Sequence, residues 1–112
     1  MPKDDRVRLR HMLDASAKAI ALLRDRERTV LEEDEVLALA LVRLLEIIGE
    51  AASQVSEATR GALPEVPWRQ IVGMRNILIH GYADLNMDFV WQTVQTDLPG
   101  LHATLVKTLA GP

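Results

Sequence analysis

Apolar positions recur every three to four residues along most of this chain, and the pattern predicts helices almost throughout. A first helix is expected over about residues 4–28, with Val7, Met12 or Leu13, Ala17, Ile20 and Leu22 or Leu23 facing inward. Its polar face carries Arg6, Arg10, Asp14, Lys18 and Asp25, the composition of a solvated surface. A second helix is expected over about residues 33–57, opened by Thr29 or by the acidic run at 32–35, which suits the positive end of a helix dipole. Leu37, Leu41, Leu44, Leu45, Ile48, Ala52 and Val55 form its main stripe. Leu39, Val42 and Ile47 point elsewhere, so this helix is apolar on more than one side and predicts a second covering surface, that of a homodimer.

Sparse punctuation divides the rest. The segment GALPEVP at 61–67 breaks the second helix, and Pro67 suits the first position of a third, which should run to Ile79 or His80. Gly81 is the expected stop signal. Asn86 or Asp88 should cap a fourth helix that reaches about Asp97, and Pro99 should start a short last one through Leu109. The expected architecture is all-α: one domain over 1–112, an up-and-down bundle of four to five helices.

Composition narrows the class. Hydrophobic residues are 48% and aromatics 4%, so Leu, Ile, Val and Ala must fill the core. No cysteine is present, which removes disulfides and thiolate metal sites and fits a reducing cytoplasm. No apolar run is long enough to span a membrane and no secretory leader is visible, so a cytoplasmic protein without membrane contact is expected. The net charge of -3 excludes a broadly basic nucleic-acid-binding surface. Any RNA must be held at a local site.

The candidate chemistry is concentrated in RNILIHGY, Arg75 to Tyr82. Five positions on a regular helix rotate by about 140°, so Arg75 and His80 need the break at Gly81 to converge. Ile77, Leu78 and Ile79 should anchor the segment in the core. A histidine near a helix C-terminus has its charged form favoured, which raises its pKa toward the range useful for proton transfer. His80 suits a general base on a ribose 2′-hydroxyl or a general acid on the leaving oxygen. Arg75 offers a planar cation for phosphate oxygens, and Tyr82 a hydroxyl to position phosphate or ribose. One histidine does not easily serve as both base and acid, so a second His80 from a dimer partner is expected. Glu46 and Glu50 share one face of the second helix. They either pair with Arg43 at its edge or line a cleft toward Arg75 and His80. His11 and His102 are assigned surface or structural roles. No metal-ligand spacing, phosphate-cradling glycine loop or nucleophile elbow is present, so no metal and no cofactor is expected.

The stretch from Leu44 to Leu101 contains EIIGEAA, PW, GMRNILIHGY and a later VW in order, and it resembles the HepT family of HEPN ribonuclease toxins. The resemblance implies a HEPN fold, a homodimer and a metal-independent endoribonuclease using an Arg-x4-His-x-Tyr motif. It assigns Arg75 and His80 to catalysis, with Asn76 and Tyr82 in substrate-binding or supporting roles, to which the cleft-lining reading adds Glu46 and Glu50. It further implies a toxin–antitoxin pair with MntA, a minimal nucleotidyltransferase that uses ATP to AMPylate Tyr82 and so blocks the site. The alternative expectation is a non-catalytic helical partner subunit of a nucleotidyltransferase, with the motif as docking and modification site.

Overall fold

A computed structural model describes residues 1–78 and 84–111. Every regular element among them is a helix, as the apolar periodicity predicts. Helix α1 spans Lys3–Leu23, a single-turn α2 spans Val30–Glu33, and α3 spans Glu35–Ser53. Short helices α4 (Glu57–Ala62), α5 (Trp68–Gly73) and α6 (Arg75–Leu78) follow. The last limb runs from α7 (Met87–Gln92) through a π turn (Thr93–Asp97) into α8 (Leu98–Ala110). Helix α1 packs against both α3 and α8, which gives the bundle its three long limbs.

The core stripe of α3 matches the expected one. Leu37, Leu41, Leu45, Ile48 and Ala52 are buried, as is Val55 just past the helix end, whereas Leu44 is only half-buried. Val42 is also buried within the monomer, which corrects its assignment to an outward face. Val36 and Leu39 are the exposed large apolar residues of this helix. Asp34 caps it, its Oδ1 accepting from the Leu37 amide at 3.0 Å. That cap separates α2 from α3 and sets the start two residues beyond the position expected from the acidic run.

The phase of α1 differs from the expected one. Its inward positions are Asp5, Leu9, Met12, Ala15, Ser16, Ala19 and Leu23, whereas Val7 and Leu22 are exposed, and so is Ala17. Two polar residues on the inward stripe obscured the true period. Ser16 is satisfied by its own helix through Leu13 O at 2.9 Å. Asp5 is satisfied from α4: the Ser56 amide donates to it at 3.0 Å, and the hydroxyls of Ser56 and Thr59 donate to its other oxygen. Helix α1 also stops at Leu23, earlier than residue 28, because Asp25 takes a left-handed φ of 62°. Pro99 opens the last helix as expected, one residue after its start at Leu98. It lies in the first turn of α8, directly after the π turn, where the hydrogen-bond register is already shifted and its missing amide donor is tolerated.

Candidate functional site

The path to the motif begins where α3 ends. Arg60 on α4 donates to the Ala52 carbonyl at 2.9 Å and the Val55 carbonyl at 3.1 Å, satisfying acceptors at and just beyond that helix end. The same guanidinium lies 5.8 Å from the centroid of the Trp68 ring. The indole Nε1 donates to the carbonyls of Arg60 and Leu63 at 3.2 and 3.0 Å. Trp68, the first residue of α5, is thus tied to the turn before it.

Helix α5 then crosses α3 closely at Gly49. A Cβ added to Gly49 would stand 3.0 Å from the Ile71 carbonyl oxygen, so the missing side chain permits the approach. The expected single third helix is broken: Met74 closes a tighter turn by donating to the Ile71 carbonyl at 3.2 Å, and α6 starts afresh at Arg75. Ile71, Met74 and Leu78 are buried at helical spacing and fasten the segment to the core. Fully burying a leucine such as Leu78 stabilises by roughly 1.5–3 kcal/mol. Ile77, expected in the core, is instead 46% exposed. It lines an apolar groove of about 730 Å³ with Met74, Phe89, Thr93 and Leu101.

Arg75 and Asn76 are both exposed on the outer side of α6. No ion pair engages Arg75 among the described residues. His80, Tyr82 and the anchor Ile79 lie outside the described residues, as does the Gly81 stop. The Asn86 amide donates to the Leu78 carbonyl at 2.7 Å. The Asn86 side chain caps α7, accepting from the Phe89 amide at 3.2 Å. Asp88, in the first turn of α7, accepts from both Nε and Nη2 of Arg28, and Arg28 also meets Glu32 at 3.2 Å. The hydrogen bond to Asp88 is the main reason that the Arg28 pKa is raised above its ordinary value.

The acidic candidates divide. Glu50 is exposed and pairs with Arg43 at 3.5 Å, the intrahelical arrangement of the two expected from the sequence. Glu46 is half-buried on the adjacent side of α3 and forms no ion pair among the described residues. Neither carboxylate bonds to Arg75 among the described residues. His11 is exposed and His102 half-buried. No group of three or more His, Asp and Glu side chains stands ready to hold a metal ion among the described residues. No described helix is long and apolar enough to cross a membrane.

Comparison with known proteins addresses the whole chain at once. The family model described as Ribonuclease HepT-like matches residues 12–108. A protein of Thermococcus cleftensis named as a probable ribonuclease HepT is 35% identical over 99 residues, covering 85% of this chain and 90% of that one. A protein of Methanocaldococcus jannaschii named as a candidate RNase is 33% identical over 97 residues, 87% of this chain and 89% of that one. A similarly named protein of Caldanaerobacter subterraneus subsp. tengcongensis is 40% identical over 77 residues, 69% of each chain. No solved structure matches the chain. The match runs from within α1 almost to the end of α8 and so takes in both limbs that flank the motif; the chain belongs to the HepT-like ribonuclease family.

Proposed function

We propose that this protein is a metal-independent endoribonuclease, the toxin of a toxin–antitoxin pair, acting through Arg75 and His80. The observation that carries this reading is the Arg-x4-His-x-Tyr motif in a HepT-like chain, with Arg75 exposed one turn before the Leu78–Asn86 hydrogen bond. The 2′-oxygen of a ribose attacks the adjacent phosphorus, and the bond from phosphorus to the 5′-oxygen breaks. His80 takes the 2′-hydroxyl proton or supplies one to the departing oxygen. The Arg75 fork balances charge that builds on the phosphoryl oxygens. Asn76 supports the strand from the neighbouring position, and Glu46, half-buried on α3 with no ion pair among the described residues, takes a supporting role.

Acid and base come from two His80 side chains in a homodimer. The exposed apolar residues beside the motif, Val72 and Ile77, suit the surface that a second copy would cover. Tyr82 is the off-switch: an MntA-like nucleotidyltransferase joins its hydroxyl to the α-phosphorus of ATP and releases pyrophosphate. The bulky anion then fills the phosphate subsite beside Arg75.

One comparison tests the chemistry. Purified wild type should cleave RNA without added metal, and His80→Ala should not; equal cleavage by both would overturn the assignment. The second reading, a non-catalytic partner subunit of a nucleotidyltransferase, is favoured by the net charge of -3. Under it, Tyr82 gains the mass of AMP from the neighbouring enzyme while wild type cuts no RNA.

A further inference from the structure

We infer that the cleft between α1 and α3 is a second phosphate-binding subsite, which holds the RNA strand away from the motif. This rests on the ribonuclease reading. The open cleft has a volume of about 520 Å³ and is lined by Arg8 and His11 from α1, by Arg43, Glu50 and Ser53 from α3, and by Gln54 at the end of α3. Two permanent cations and a histidine face one carboxylate there, in a chain whose net charge is -3.

Cations on a helix surface are ordinarily solvated and unremarkable. Arg8 is different. Its Nε is shielded from solvent and has no hydrogen-bond partner among the described residues. A guanidinium nitrogen in that state is costly, so the Arg8 side chain gains by turning toward an acceptor that enters the cleft. Glu50 does not provide one: it is engaged with Arg43 at 3.5 Å, a long and exposed pair. Two guanidinium groups flanking hydroxyl and amide side chains suit a phosphodiester, whose oxygens accept from planar forks.

The placement fits an extended strand. Ile47 and Ala51 line the α1 side of α3, whereas Gly49 faces α5 and the limb that carries Arg75. The cleft and the limb that carries Arg75 therefore lie on different sides of α3, and an extended strand can contact both. An acidic chain lacks general attraction for RNA, so affinity must come from such discrete contacts.

The test uses a fluorescent single-stranded RNA of about fifteen nucleotides, full-length protein carrying His80→Ala to prevent cutting, and a salt titration. Arg8→Gln combined with Arg43→Gln should weaken binding roughly tenfold and flatten the salt slope by about 1.4, or 0.7 for each lost contact. Arg8→Lys should keep the salt slope but lose part of the affinity, less than Arg8→Gln loses, which separates a lost charge from lost fork geometry and from a folding defect. Glu50→Gln should tighten binding, because it removes the competing carboxylate. Unchanged affinity and slope in the double variant, or weaker binding in Glu50→Gln, overturns the subsite. The chemistry fails separately: if binding depends on Arg8 and Arg43 but wild type cuts no RNA, the subsite stands and the ribonuclease reading falls. If wild type binds no RNA, both fall.

Discussion

The amide of Asn86 donates to the carbonyl of Leu78 at 2.7 Å, so the chain leaves α6 and rejoins the bundle at one point. Asn86 has a second task, since its side chain caps α7 through the Phe89 amide. Replacing it by Ala removes the cap and leaves the backbone bond without its rigid neighbour. Asn86→Ala should cost about 1 kcal/mol of stability, while Asn86→Asp, also a capping residue, should cost little. RNA cleavage should fall further in the Ala variant than in the Asp variant. Thermal melting and cleavage rates on the same preparations check this, and identical behaviour of the two variants would refute the link between cap and motif.

The approach of α3 to α5 rests on a missing side chain. Gly49 faces the Ile71 carbonyl, and a Cβ there would sit at 3.0 Å. Gly49→Val adds two further methyls against backbone that cannot rotate away. The expected cost is about 1–3 kcal/mol, with α5 displaced and the motif with it. Gly61 is the control, since nothing lies within 4 Å of its added Cβ. Gly61→Ala should be neutral or stabilising by up to about 1 kcal/mol. Denaturant titration of both variants decides the matter: equal midpoints would mean that Gly49 is not a packing requirement.

Asp5 should make the fold acid-sensitive. Its pKa is lowered from 3.8, first by the Ser56 hydroxyl, then by the Thr59 hydroxyl and the Ser56 amide. A depressed carboxylate contributes stability that is fully present above its unfolded pKa and is lost as pH falls through the folded one. The contribution is thus complete at pH 7 and disappears progressively below about pH 3.8. Asp5→Asn should melt several degrees below wild type at neutral pH, and the gap should narrow as pH falls through that window. A constant gap from pH 7 to pH 2.5 would show that the charge of Asp5 is irrelevant.

Short-range chemistry was legible in the sequence, and long-range chemistry was not. Asn86 as a helix cap follows from side chains that bond to amides three residues on, and the structure bears it out. The inward stripe of α3 also follows from period alone, because its residues are nearly all aliphatic. Helix α1 resists that reading because two inward positions, Asp5 and Ser16, are polar. The partners of Asp5 lie on α4, more than fifty positions away, and no local pattern announces them. Sequence separation also hides the cleft: Arg8 reads as one of several solvated cations until packing brings it and Arg43 to one cleft. The Arg75 motif stood out because its residues are close in sequence. Its break at Met74 did not, because a single glycine inside a helical pattern, here Gly73, is a weak break signal.

Arg75 offers the cleanest separation of chemistry from folding. It is exposed at the start of α6 and forms no ion pair among the described residues, so its truncation removes little packing. Ile71, Met74 and Leu78 continue to anchor the segment. Arg75→Ala should therefore leave the melting temperature nearly unchanged. It should lower RNA cleavage by roughly 10²–10³-fold, the usual loss when a group that stabilises developing charge is removed. Arg75→Lys retains the charge but loses the two-pronged geometry, so its rate should fall between wild type and Arg75→Ala. Cleavage time courses alongside circular dichroism melts distinguish the outcomes. A variant that melts normally and cuts at the wild-type rate would remove Arg75 from the reaction.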